Sequence, residues 1–137
     1  MNRQSNALRT VFRAGFVLYT LALLTATHWP GLTVHGPIDR TDLVIHVGVF
    51  FVWTCLLFAS GWVATGGCGC FKRRIVWTFV AGVCFAAFDE LTQPIFNRIA
   101  DPWDFGADAA GVAVACGMIA LWVRVKSSKA GEQQSSQ

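Results

Sequence analysis

The sequence predicts an all-α integral membrane bundle of four transmembrane helices with both termini cytoplasmic, and three observations predict it. Of the 137 residues, 54% are hydrophobic and only 14% charged, whereas a soluble domain usually carries about 25% charged residues. The apolar residues fall in four long blocks, which leaves no room for a soluble domain. Lysine and arginine are distributed almost entirely to one side of those blocks.

The blocks run over 11–29, 43–65, 75–95 and 105–123, each close to the roughly 20 residues that cross a bilayer as a helix. The first follows Arg3, Arg9 and Arg13 like a signal peptide. No clean small-x-small cleavage site follows its apolar run, so it is expected to stay as a span. Residues 1–10 form a cytoplasmic amino-terminal segment, 11–123 the membrane domain, and 124–137 a cytoplasmic tail expected to be disordered from its Ser, Gln and Lys content.

Orientation follows from basic residues, which hold a loop in the cytoplasm. Arg3, Arg9 and Arg13 precede the first block, Lys72, Arg73 and Arg74 belong to the Gly-rich middle loop, and Arg124, Lys126 and Lys129 follow the fourth. Nine of the eleven basic residues thus share a side, leaving Arg40 and Arg98 on the other. The acids do the reverse: Asp39, Asp42, Asp89, Glu90, Asp101, Asp104 and Asp108 gather at the outer ends, with only Glu132 in the tail. Acids are weak topology signals, so their one-sidedness points to a solvated surface or a site. The net charge of +3 sits in a few short polar stretches, which fits anionic lipid headgroups as neighbours and not nucleic acid.

Five cysteines build no disulfide framework, because Cys55, Cys84 and Cys116 lie in apolar blocks and read as packing residues. Cys68 and Cys70 form a CxC without a nearby His, so no metal site is expected there. No cofactor motif is present.

Depth picks out the chemistry-bearing residues. Asp89 and Glu90 follow Arg74 by fifteen and sixteen positions, roughly 22 to 24 Å above the cytoplasmic boundary of a core about 30 Å thick. Asp108 precedes Arg124 by sixteen and reaches a similar height, and His46 stands one turn inside the outer start of the second block. Carboxylates at that depth must pair, hydrate or face the bundle interior. Glu90 and Gln93 are three apart, and Asp104, Asp108, Gly111 and Ala115 recur along one helix face, the small pair admitting a neighbouring helix beneath the acids. Asp42, His46, Val49 or Phe50, and Trp53 make a similar stripe on the second block.

Pro94 ends the third helix near Gln93, and Pro102 starts the fourth with Asp101 as its cap and Asp104 near its positive end. In between, Arg98 carries a planar fork suited to a carboxylate or a phosphate. For several of these residues a structural role competes: His46 as a helix-end histidine bonded to a carbonyl or to Asp42, Asp101 and Asp104 as caps, Asp39 and Asp42 as solvated acids, Trp29, Trp103 and Phe105 as interface anchors. Glu90, Gln93, Arg98 and Asp108 combine depth, spacing and complementary charge, and resist that reading best.

The run Asp42-Leu-Val-Ile-His46, then Asp89-Glu90-Leu-Thr-Gln93, Arg98, Asp104, Asp108 and Gly111 resembles the VanZ-like membrane proteins over about 70 residues. That family pattern is a DxxxH, an ExxQ, an outer-loop Arg, then an Asp, an Asn or Asp four residues on and a Gly three beyond. Leu43 replaces a frequent Lys, and Ile99-Ala-Asp-Pro-Trp103 stands where a Pro-Gly-Arg turn is common. The resemblance implies a four-helix VanZ-like domain over 11–123 in a bacterial plasma membrane, related to a teicoplanin-resistance accessory protein. It implies recognition of a cell-envelope lipid headgroup or a lipid-targeted, glycopeptide-type antibiotic by Asp42, His46, Glu90, Gln93, Arg98, Asp104 and Asp108. A second reading is an enzyme on a lipid-linked substrate, with Glu90, Asp108 or His46 as its acid-base group, or with His46 and the acids holding a divalent metal. A third, proton or cation transport, has acids only in the outer layer and little room in four short helices. The sequence leaves the oligomeric state open.

Overall fold

The computed structural model describes residues 3–30, 40–63 and 71–135. Four helices follow one another: α1 Arg3–Thr27, α2 Thr41–Ser60, α3 Phe71–Thr92 and α4 Pro102–Ser135, with a 3₁₀ turn Gln93–Phe96 after α3. All four are long and apolar enough to cross a membrane. Large apolar side chains cover the outside of the bundle, among them Leu18, Val76, Phe88, Leu121 and Trp122, a surface suited to lipid and not to water.

Each helix begins ahead of the apolar block that predicts it, because hydrogen bonding does not stop where hydrophobicity does. Lys72, Arg73 and Arg74, expected in the middle loop, form the first turn of α3. Residues 124–135, expected to be disordered, continue α4; Lys, Ala, Glu and Gln are good helix formers and extend a helix already nucleated in the membrane. The second block falls short of its predicted end, since Gly61 adopts φ 72° and closes α2 with its N–H on the Phe58 carbonyl. Asp39, His35, Thr65, Cys68 and Cys70 lie outside the described residues.

Pro94 ends α3 as expected, and Asn97 leaves the 3₁₀ turn in the left-handed region at φ 58°. Asp101 caps α4: its Oδ1 accepts the Trp103 N–H at 2.9 Å, ahead of Pro102 in the first turn. Trp29 and Trp103 are exposed, in keeping with interface anchors, while Phe105 packs against the core.

The ion pairs and hydrogen bonds put the C-terminal ends of α1 and α3 beside the N-terminal ends of α2 and α4, an up-down-up-down order. At mid-height Phe16 and Leu23 of α1, Phe50, Trp53 and Leu57 of α2, Ala86 of α3 and Val112 and Cys116 of α4 form the core. Trp53 stacks on Phe85 at 4.5 Å and donates its indole N–H to Thr20. Cys116 is buried there, but Cys84 points out of the bundle, so only the former packs as expected.

Two glycines set the helix separations. A Cβ on Gly111 would collide with the Val47 backbone carbonyl and stand 3.1 Å from the Phe51 nitrogen, and Ala115, one turn on, is fully buried. α4 therefore lies backbone to backbone against α2 directly beneath the acidic layer. A Cβ on Gly82 of α3 would meet the Val112 methyl groups of α4 at 2.7 and 2.9 Å.

Candidate functional site

The acidic ends of the four helices enclose a cavity of about 320 Å³, lined by Leu23, Ala26, Thr27, Asp42, Ile45, His46, Val49, Gln93, Arg98 and Asp104. Its wall combines an apolar side from α1 and α2 with a polar side contributed by α2, α4 and the turn after α3. Small-molecule sites commonly have that composition.

His46 leans toward α4. Its Nδ1 donates to Asp108 Oδ1 at 2.8 Å, which fixes a proton on Nδ1 and holds the ring by a carboxylate that is wholly buried. Its Nε2 is 3.8 Å from Asp104 Oδ2, too far for a hydrogen bond. The expected alternative of a bond to Asp42 is not realised. Asp42 is a half-buried lining residue in the first turn of α2, near the positive end of that helix.

Glu90 and Gln93 do meet, as their spacing predicts: Gln93 Nε2 donates to Glu90 Oε2 at 3.2 Å. The other Glu90 oxygen accepts the Asp101 backbone N–H. Both oxygens are thus engaged, and Glu90 lies behind the cavity wall, fastening the end of α3 to the cap of α4. Gln93, 1% exposed, reaches the cavity in its place.

Arg98 lines the cavity and makes no ion pair among the described residues. The arginine that pairs with a carboxylate on this side is Arg40, whose Nη2 donates to Asp101 Oδ2 at 3.2 Å near the surface. Arg40 is itself in the left-handed region, at φ 65°, just before α2.

A second cluster joins α1 to α3 beside the cavity, and sequence reasoning passed over most of it. Thr27 donates to Asp89 Oδ1 at 2.7 Å. His28 Nδ1 donates to the Leu24 carbonyl at 2.9 Å and lies 3.7 Å from the same Asp89 oxygen, while Nε2 is 2.8 Å from the Thr92 hydroxyl. The available signal was depth, since Thr27 and His28 end the first block at the level where Asp89 ends the third. Replacing Thr27 by valine is expected to lower stability by about 1 to 3 kcal/mol, because it leaves a buried carboxylate oxygen without its donor. Thermal unfolding in detergent measures this, and an unchanged midpoint would remove Thr27 from the network.

The layer is rich in carboxylates that lack donors. Asp89 Oδ2, Asp104 Oδ1 and Asp108 Oδ2 are buried with no hydrogen-bond partner among the described residues. Native interiors leave few such atoms, and Asp104 belongs to the cavity wall while Thr27 and His46, which hold Asp89 and Asp108, line it. The arrangement offers acceptors for an ammonium or hydroxyl group and the Arg98 guanidinium for an anion. No three His, Cys, Asp or Glu side chains among the described residues converge closely enough to hold a metal. Compared with known proteins, the chain matches no family model, no curated protein and no solved structure.

Proposed function

We propose that this chain is a VanZ-like protein of the bacterial plasma membrane, with both termini cytoplasmic, and that its outer cavity recognises a polar headgroup. The headgroup belongs to a cell-envelope lipid intermediate or to a lipid-targeted, glycopeptide-type antibiotic. One observation carries the reading: a cavity of about 320 Å³ whose wall brings together Asp42, Asp104 and Arg98, the last with no ion pair among the described residues, beside carboxylate oxygens buried without a donor among those residues. Arg98 takes the anionic part of the ligand, and Asp42 and Asp104 take its amine or hydroxyl groups. Gln93 and His46 complete the polar wall. The order Asp42, His46, Glu90, Gln93, Arg98, Asp104, Asp108 and Gly111 supports the family, and nine basic residues of eleven on one side support the orientation.

Native mass spectrometry of the protein extracted with its lipids tests the reading. A co-purifying lipid is expected on the wild-type chain and should fall about tenfold or more in Arg98→Ala, because a charge-assisted hydrogen bond to a ligand contributes about 1.5 to 3 kcal/mol. Asp104→Asn should weaken it further, whereas Arg40→Gln, outside the cavity, should not. Equal lipid retention in wild type and Arg98→Ala would count against headgroup recognition.

A second reading rests on the His46–Asp108 pair at 2.8 Å. A cavity-lining histidine oriented by a buried carboxylate has the form of a general base for transfer or hydrolysis on a lipid-linked substrate. Release of a product from envelope lipids by the wild type and not by His46→Gln would favour it; no turnover in either would sink it.

A further inference from the structure

The opposite end of the bundle holds a second polar cluster, made of arginines. Arg13 of α1 donates its Nε to the Ser60 carbonyl at 3.2 Å, and Arg74 of α3 donates Nη2 to the Phe58 carbonyl. Both carbonyls belong to the last turn of α2, where the helix leaves unpaired acceptors and a partial negative charge. The Arg74 guanidinium also lies over the Phe58 ring, its carbon 3.9 Å from the ring centre. Arg9 stands one turn before Arg13 on the same face of α1, close enough for its charge to act on Arg74.

These contacts use a small part of the donor capacity. Each guanidinium has five N–H groups, and Arg13 and Arg74 each spend one of them on α2. Arg74 Nε is buried with no hydrogen-bond partner among the described residues. Among the residues whose side chains are described, every carboxylate lies at the other end of the bundle, on Asp42, Asp89, Glu90, Asp101, Asp104 and Asp108. The half charge of one helix terminus does not balance three guanidiniums, which repel one another at the edge of a low-dielectric medium. A compact anion with several acceptor oxygens is what the cluster lacks. At this end of a membrane span such an anion is supplied by the lipids themselves, and Trp62, half exposed beside Phe16, stands at headgroup level as an interfacial anchor.

We propose that this end binds one acidic phospholipid, its phosphodiester held by Arg9, Arg13 and Arg74. The site shares no residue with the outer cavity, so it stands whether or not the headgroup reading of that cavity does. Its chemistry is phosphate recognition by a guanidinium cluster, and the lipid source follows from its position at the end of three spans.

Native mass spectrometry of the full chain in detergent, titrated in parallel with phosphatidylglycerol, phosphatidylcholine of the same acyl chains, and inorganic phosphate, tests it. Phosphatidylglycerol is expected to be retained about tenfold more than phosphatidylcholine, with no retained adduct from inorganic phosphate. Arg9, which is exposed and makes no hydrogen bond among the described residues, is replaced first. Arg9→Gln should lower phosphatidylglycerol occupancy about fivefold and Arg9→Gln with Arg13→Gln more than tenfold, taking about one kcal/mol for each arginine near the headgroups. Arg40→Gln removes one charge from the other end and should leave occupancy unchanged. Equal retention of the two lipids, equal loss in Arg40→Gln, or wild-type retention in the folded double variant would overturn the site. Retained inorganic phosphate would overturn its assignment to a lipid.

Discussion

Replacing His46 by alanine is expected to destabilise the bundle by about 3 to 5 kcal/mol, the cost of stranding a buried carboxylate without its partner. Asp108 is wholly buried, and among the described residues its Oδ2 has no partner and its Oδ1 has only the His46 ring. Without that ring a carboxylate is left between α2 and α4 with no donor. The companion result is sharper: His46→Ala with Asp108→Ala should be more stable than His46→Ala alone, because the second change removes the stranded charge. Unfolding by increasing mole fraction of dodecyl sulfate in mixed micelles measures His46→Ala, Asp108→Ala and the double variant with the wild type. If the double variant loses the sum of the two single losses, the pair is not coupled and His46 is free for another role.

Gly111→Leu is expected to cost about 3 kcal/mol, at the upper end of overpacking effects. Even the first atom of the new side chain meets backbone, the Val47 carbonyl, and a backbone segment cannot swing aside as a side chain does. The helices would have to part. His46 adjoins Val47, and Asp108 precedes Gly111 by one turn, so parting would also stretch the 2.8 Å bond between them. Gly82→Ala is the milder comparison, since the obstructing atoms there are the methyl groups of Val112, which can turn. The expected order of melting temperatures in detergent is wild type, Gly82→Ala, Gly111→Ala, Gly111→Leu. A Gly111→Ala variant as stable as wild type would mean that α2 and α4 do not touch at this level.

Much of the architecture is legible in the sequence because the physics behind it is local. Four helices long and apolar enough to cross a membrane follow from apolar runs, and the break after α3 from Pro94, which has no amide proton to give. The cap of α4 follows from Asp101 before Pro102. The close approach at Gly111 and Ala115 follows from their recurrence on the face that carries Asp104 and Asp108, since small residues at a helix interface favour it. Helix ends were less legible: polar residues beyond an apolar run can still hydrogen-bond in a helix, as Lys72 to Arg74 and residues 124–135 do.

The sequence by itself determined the helix count, the one-sided charge and the layer that Asp89, Glu90, Asp108 and His46 share, because each depends on position along a single helix. Only the tertiary structure decided which of them touch. His46 bonds Asp108 and not Asp42; Glu90 is spent on fastening α3 to α4; Arg40 takes the ion pair while Arg98 is left facing the cavity. Depth along each helix is additive in the chain, one rise per residue. Pairing across helices depends on their rotation and separation, and those are set by the packing of Gly111, Gly82 and the aromatic core together.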